Sequence, residues 1–260
     1  MPHNIEQLKW YKEMGVDEII GEETINHMAA KIKSEPKLAS NPVSNQFATP
    51  APVSAKIDTR VLADSADNLA KLQDIVVNFK GLGITKTATN TVFSDGQPQS
   101  EIMLIGEAPG ADEDKYGIPF CGASGQLLDQ MLSYIGLERK KNFYITNTIF
   151  WRPPGNRRPT PEELAVCLPF VEKHIELIKP KIIVLVGGTA ITSLLGSQDG
   201  ITKLRGKYLD YQNRYLKHPI KTTAIFHPSY LLRSPGQKRL AWQDLLKLQQ
   251  YIEQNAIKLA

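Results

Sequence analysis

Four short apolar runs alternate along this chain with longer segments of helical periodicity. The runs span residues 102–105, 143–146, 182–186 and 223–226. Helical patterns lie before, between and after them, at residues 69–76, 125–135, 161–178, 189–195 and 240–257. Short apolar runs are typical of buried strands, and strands alternating with helices predict a parallel sheet covered on both faces. We therefore expect an α/β fold: a three-layer α/β/α domain with a central, mostly parallel four-stranded sheet.

The 260 residues exceed what one ordinary domain needs, and the pattern divides them into three segments. Residues 1–33 have rough helical periodicity and predict a helical leader. Residues 34–64 are rich in Pro, Ser and Ala, a composition that buries too little surface to order itself, and they predict a flexible linker. Residues 65–260 carry the α/β pattern and predict the functional domain.

Composition excludes several classes of protein. No apolar run approaches the ~18 residues of a membrane span, and the first residues lack the basic and apolar pattern of a secretion signal. The two cysteines, Cys121 and Cys167, have no zinc or redox spacing. We therefore expect a soluble, cytoplasmic protein in a reducing compartment.

The net charge is only +4, but its distribution is uneven. No carboxylate side chain lies between Asp210 and Asp244, a stretch that holds Arg214, Lys217, Lys221, Arg233, Lys238 and Arg239. A stretch of one sign suits a polyanion such as nucleic acid. A solvated basic face is an equal alternative for this feature taken alone.

Distinct motifs follow three of the four predicted strands, at the edge where ligands bind in parallel sheets. The first strand leads into Gly106-Glu107-Ala108-Pro109-Gly110, then Gly117-Ile118-Pro119-Phe120 and Gly122-Ala123-Ser124-Gly125. The second ends in Thr146-Asn147, followed by Arg152-Pro153-Pro154-Gly155-Asn156-Arg157. The fourth leads into His227-Pro228-Ser229-Tyr230-Leu231-Leu232-Arg233.

These motifs, in this order, resemble those of the family 4 uracil-DNA glycosylases. The resemblance covers about residues 69–252. It implies an enzyme of base-excision repair that flips uracil out of single- or double-stranded DNA and hydrolyses its N-glycosidic bond, leaving an abasic site. A monomer is the default expectation for such an enzyme.

A base inside a stacked duplex is out of reach, so such an enzyme needs a pocket for the extruded base. Gly106 and Gly110 allow the backbone to approach a ligand closely, and Phe120 offers an aromatic face for stacking. Asn147 carries the donor and acceptor that complement uracil O4 and N3–H, and cytosine presents the opposite pattern. Without the motifs, a packed Phe120 and a capping Asn147 would be the ordinary readings.

The resemblance assigns chemistry to three further positions. His227 is expected to donate a hydrogen bond to uracil O2 as negative charge develops on the leaving base. Ala108 stands where family 1 enzymes carry the aspartate that orients water. Glu107, one position earlier, is therefore our candidate for orienting water or stabilising the cationic sugar, with helix capping as the alternative. Glu113 is a weaker candidate for closing the pocket beside uracil C5.

DNA contacts are expected from two loops. Ser229 and Arg233 are predicted to contact phosphates, and Leu231 to enter the space that the flipped base leaves. Arg152, Arg157 and Arg158 are predicted to add backbone contacts, although a solvated basic loop is a serious alternative.

One part of the chain departs from the family, whose members typically bind a [4Fe–4S] cluster through four cysteines. Alignment by the motifs places Phe79, Leu82 and Trp151 at three of those positions and leaves only Cys167. One thiolate cannot hold a cluster that needs four ligands, so we expect no cluster and no other metal or cofactor. We expect the apolar substitutes to pack around Cys167. Because the cluster lies beside the DNA-contacting loop in the family, its loss leaves the position of Arg152 open.

Two other readings remain at this stage. The chain could be a non-catalytic DNA- or nucleotide-binding module of the same superfamily, which a test for uracil release distinguishes from an enzyme. The leader could also bind a protein partner through an amphipathic helix, but this explains nothing after residue 65 and is only an added role.

Overall fold

The structure, a computed structural model, describes residues 58–259. The predicted leader and most of the predicted linker, residues 1–57, lie outside the described residues. Within residues 58–259 no helix combines the length and the apolar character needed to cross a membrane.

A six-stranded sheet forms the centre of the domain. Its strands are β1 (Asp95–Gly96), β2 (Ile102–Gly106), β3 (Tyr144–Asn147), β4 (Ile182–Val186), β5 (Leu209–Tyr211) and β6 (Ile220–Ile225). The order across the sheet is β1-β3-β2-β4-β6-β5. The four strands predicted from the apolar runs are the parallel centre, β3-β2-β4-β6. The sequence prediction missed β1 and β5, two short antiparallel edge strands.

Helices cover both faces of the sheet. They are α1 (Thr59–Asp64), α2 (Leu69–Asn78), α3 (Ala111–Tyr116), α4 (Ala123–Ser133), α5 (Pro161–Ile178), α6 (Gly188–Leu195), α7 (Ile201–Leu204), α8 (Pro228–Arg233) and α9 (Lys238–Gln254). Successive residues of β2 point to opposite faces: Met103 joins a core formed with α1, α2, α5 and α6, whereas Leu104 joins a core formed with α4 and α9. The predicted three-layer α/β/α architecture is confirmed.

The longest helix shows how local sequence sets its limits. Thr160 caps the start of α5: its hydroxyl accepts the Glu163 N–H, and the Glu163 carboxylate accepts the Thr160 N–H at 2.8 Å. Pro161 occupies the first helical position, where a missing N–H costs nothing. The helix ends at Lys179, which has left-handed backbone angles (φ 56°) and precedes Pro180.

The start of the domain requires a correction. Residues 59–64, assigned to the linker by composition, form α1, which begins at the N-cap Asp58 and packs against α5. Ala63 of this helix is fully buried. The composition signal failed here because the burial of one short helix depends on its packing partner, not on its own apolar content.

Candidate active site

An open cavity of about 1160 Å³ lies at the carboxyl edge of the parallel strands. Its lining includes Glu107 and Phe120 after β2, Asn147 at the end of β3, Thr189 after β4 and His227 after β6. The structure therefore brings together four predicted site residues that are separated by up to 120 positions in sequence. This is the edge at which open parallel sheets bind ligands.

Asn147 lines this cavity and presents a hydrogen-bond acceptor to it. Its side chain is almost fully buried, and its Oδ1 has no hydrogen-bond partner among the described residues. A buried acceptor left unpaired costs about 1–3 kcal/mol. The arrangement therefore suits a ligand that donates a hydrogen bond to Oδ1.

Gly106 makes room for both Asn147 and Phe120. It pairs with Asn147 across β2 and β3. A Cβ at Gly106 would overlap the ring of Phe120 and come within 2.5 Å of the Asn147 Oδ1. The glycine is required because the ring and the amide approach the backbone more closely than any side chain allows.

His227 has a defined protonation pattern. The Ser229 N–H donates to its Nδ1 at 3.2 Å, and the Ser229 Oγ lies 2.8 Å from the same nitrogen. A backbone N–H can only donate, so Nδ1 is unprotonated and the neutral ring carries its proton on Nε2. Burial lowers the pKa of His227; Arg233 acts in the same direction, and Glu107 and Glu113 oppose it. His227 therefore offers Nε2–H as a neutral donor beside Phe120, with 5.8 Å between the ring centroids.

Glu107 is fixed from two sides. The hydroxyl of Thr189 donates to its carboxylate at 2.6 Å, and the hydroxyl of Thr148 donates to its backbone carbonyl at 2.6 Å. The capping alternative for Glu107 has no support among its hydrogen bonds in the described residues. Its carboxylate is held at the cavity wall.

Glu113 ties two glycine loops together. One carboxylate oxygen accepts the Gly110 N–H and the other accepts the Gly122 N–H, both at 3.0 Å. Ala108 and Gly110 also line the cavity. The Gly110 loop is thus fixed to the start of α4 by a carboxylate at the cavity wall.

The arginines predicted to contact DNA differ in their surroundings. The Arg152 Nε donates to Asn156 at 2.7 Å, and both terminal nitrogens of Arg157 donate to Glu163, at 2.8 and 2.6 Å. Arg158 and Arg233 line the cavity and form no ion pair within residues 58–259. Two cations of the stretch between Asp210 and Asp244 also form ion pairs, Arg214 with Asp64 and Lys221 with Asp210.

Leu231, predicted to enter the duplex, and its neighbour Leu232 have different surroundings. Its side chain is fully buried against Phe226 and Ala241, whereas the next residue, Leu232, is 46% exposed. The structure places Leu231 in the six-residue helix α8, and its side chain turns toward α9. The large apolar side chain that α8 exposes is therefore that of Leu232, and the entry of Leu231 into a duplex stays a prediction.

The residues at the four cysteine positions of the family form part of one hydrophobic core. Phe79, Leu82, Trp151 and Cys167 are all buried there. The Phe79 ring lies 5.8 Å from that of Trp151 and 5.4 Å from that of Phe170. Burial, with the nearby Glu163, raises the pKa of the Cys167 thiol, which disfavours the thiolate that a cluster needs. Residues 58–259 contain no group of three potential metal ligands, and these four do not fit an iron–sulfur cluster.

Two residues that contact the site were not predicted from the sequence. Thr189 follows β4, whose end was predicted to lie at the ligand edge, but no residue of that loop was selected. Arg139 lies between α4 and β3 and donates to the carbonyl of Phe120 at 2.8 Å. No sequence signal points to Arg139, because the contact depends on the path of the Phe120 loop.

Comparison with known proteins assigns the family. The model of the uracil DNA glycosylase superfamily matches residues 93–246, more than half of the chain. The type-4 uracil-DNA glycosylase of Sulfurisphaera tokodaii is 40% identical over 189 residues, 71% of this chain and 84% of that protein. This chain belongs to the type 4 uracil-DNA glycosylases. The type-4 enzyme of Thermotoga maritima is 40% identical over 168 residues, 64% of this chain and 84% of that protein. That of Archaeoglobus fulgidus is 37% identical over 187 residues, 69% of this chain and 92% of that protein.

The contacts of Gly106 generate a prediction about this family member. Gly106→Ala should lower the free energy of unfolding by about 1–3 kcal/mol, the usual cost of forcing extra volume into a packed site. Gly83→Ala is the matched control, because a Cβ at Gly83 meets no atom within 4 Å. Chemical denaturation of both variants measures the difference. Equal stability of the two would contradict the close approach described for Gly106.

Proposed function

We propose that this chain flips uracil out of DNA into the cavity and hydrolyses its N-glycosidic bond, leaving an abasic site. Membership of the type 4 family supports the activity, and the family acts on DNA. The observation that carries the proposal is the buried, unpaired Oδ1 of Asn147 in a cavity that also holds Phe120 and His227. No observation favours a non-catalytic module.

Recognition of the base rests on Asn147 and Phe120. Oδ1 of Asn147 accepts the N3–H of uracil, and its Nδ2 donates to O4. Cytosine offers an acceptor at N3 and a donor at C4, so it would leave both groups unpaired, which is costly in a buried site. Phe120 stacks on the face of the base, and Glu113 closes the pocket beside C5, where thymine carries a methyl group.

His227 and Glu107 act on the bond. When the bond between C1′ of the sugar and N1 of uracil breaks, the electron pair leaves with the base. The Nε2–H of His227 donates to O2 and stabilises this charge, with the ring already neutral and oriented by Ser229. Glu107, held by Thr189, faces the cationic sugar or orients the water that adds to C1′ and loses a proton.

DNA lies along the mouth of the cavity. Arg158 and Arg233, which line it without an ion-pair partner in residues 58–259, neutralise phosphates, together with Arg152 and the Ser229 loop. Arg157 contributes less, because Glu163 already occupies both ends of its guanidinium. Leu232, the exposed neighbour of Leu231, supplies the apolar side chain that first meets the space left by the base.

The protein acts without an iron–sulfur cluster. The support is chemical: Phe79, Leu82 and Trp151 have no atom able to bind iron, and the Cys167 thiol is buried and protonated. The packing of these side chains replaces the cross-link of the cluster by burial worth ~1.5–3 kcal/mol for each large side chain. We also propose a reducing, cytoplasmic setting, which the two free cysteines support, and a monomer, the default for an enzyme that flips a base.

Uracil release tests the activity and the two main roles. The wild type should release uracil from a labelled single-stranded oligonucleotide, and not thymine or cytosine from matched strands. Asn147→Ala and His227→Ala should each lower the rate constant by about 100-fold or more, since each removes a preorganised group. Asn255→Ala, an exposed residue at the end of α9, is the control and should retain wild-type activity. No release by folded wild-type protein would refute the proposal.

The pH dependence tests the protonation state of His227. Burial lowers its pKa below the usual value of about 6.5, so the neutral ring predominates at that pH. The excision rate constant should therefore decline with a midpoint below about pH 6.5, as protonation of Nδ1 ends its bond with Ser229. The same profile measured for His227→Gln is the control. An inflection at or above 6.5 that this variant removes would contradict the assignment.

Iron analysis tests the absence of the cluster. Protein purified without oxygen should contain iron well below one atom per chain and show no absorbance band near 400 nm. A cluster-binding type 4 enzyme, purified in parallel, is the positive control. Four iron atoms per chain with that band would show that other ligands hold a cluster and would overturn the proposal.

A further inference from the structure

Phe120 has a backbone conformation that its neighbours must hold in place. Its φ is +52°, in the left-handed region that side chains other than glycine rarely adopt. This conformation directs the ring against Gly106 and into the cavity wall. A residue outside its preferred region keeps that geometry only when surrounding contacts fix it.

Arg139 supplies such contacts. Its Nη1 donates to the carbonyl of Pro119 at 2.6 Å, and its Nη2 donates to the carbonyl of Phe120 at 2.8 Å. The remaining N–H groups donate to Asp129 and Asp95 at 2.9–3.2 Å. All five N–H groups of the guanidinium are thus used, in a planar arrangement that lysine cannot reproduce.

The Phe120 carbonyl is also confined by α4. A Cβ at Gly125, in α4, would overlap this oxygen. The carbonyl therefore packs against the backbone of α4 and also accepts the bond from the Arg139 guanidinium. Any change in the direction of the Phe120 peptide would break the bond to Arg139 or collide with α4.

The two acidic partners do not explain this arrangement by themselves. The side chains of Asp95 and Asp129 are 39% and 42% exposed, whereas that of Arg139 is only 11% exposed. Ion pairs with such accessible carboxylates contribute little to stability. The two carboxylates orient the guanidinium. Its other two hydrogen bonds go to the carbonyls of Pro119 and Phe120, the residue that carries the ring.

We propose that Arg139 is a positioning residue for base recognition, which fixes the Phe120 ring through the Phe120 carbonyl and thereby sets the affinity for uracil. The inference rests on the stacking role proposed for Phe120. Arg139 itself touches neither the base nor the reacting atoms.

Inhibition by free uracil is the readout, because it measures how the cavity holds the base apart from catalysis and DNA binding. Arg139→Lys should raise the inhibition constant about tenfold, within the range typical of lost base–aromatic stacking. Phe120→Leu should raise it by a similar factor. In the Phe120→Leu background, Arg139→Lys should add less than about twofold, because residues that act through one contact are not additive.

Asp95→Asn is the matched control. It removes one ion pair of Arg139 but leaves both carbonyl bonds and the contact with Asp129. Its inhibition constant should remain within about twofold of wild type, even where its melting temperature falls. A tenfold rise in this variant would assign the effect to the ion pairs and overturn the proposal.

The remaining outcomes separate this inference from the function it rests on. An unchanged inhibition constant in Phe120→Leu would remove the stacking role itself. An effect of Phe120→Leu without one of Arg139→Lys, or full additivity of the two, would overturn the role of Arg139 alone. Where Arg139→Lys does not fold, Arg139→Gln takes its place. Failure of both to fold would assign Arg139 to the fold and overturn the proposal.

Discussion

The parallel pairing of β2 with β3 is the constraint on which the site depends, because it sets Gly106 opposite Asn147. In that register the amide and the ring of Phe120 share the space that a side chain at Gly106 would fill. A slip by one residue would turn every side chain of β2 to the wrong face and lose both cores. The burial of the sheet on two sides therefore also secures the geometry of the cavity.

The sequence predicted the parts of the fold whose signal is local. Ile182–Val186 and Pro161–Ile178 were placed with the observed limits, since an uninterrupted apolar run and a capped, periodic helix need no further information. The edge strand Asp95–Gly96 was missed because its two residues gain strand character only by pairing with β3. The burial of Leu231 was not predicted for a similar reason: the packing of α8 decides which of its apolar side chains is buried.

The residues of the site show the same contrast between local sequence signals and long-range packing. Asn147, Phe120 and His227 stand in motifs at strand ends, so the topology of a parallel sheet was enough to expect them at one edge. Thr189 and Arg139 act on Glu107 and Phe120 from 82 and 19 positions away. Their identity depends on loop paths that no periodicity records. The residues expected to touch the base were thus predictable, whereas the residues that hold them were not.

The replacement of the cysteines has consequences for the DNA-contacting loop, because Trp151 immediately precedes Arg152. The indole is buried against Phe79, and its Nε1 donates to Thr91 at 3.0 Å. Arg152 lies 3.9 Å from the buried carboxylate of Asp114, which also accepts the Thr89 N–H at 2.8 Å. The packing of Trp151 against Phe79 and the contact of Arg152 with Asp114 therefore hold the loop on both sides of the Trp151–Arg152 peptide. These contacts define the surroundings of Arg152, whose position the missing cysteines had left open.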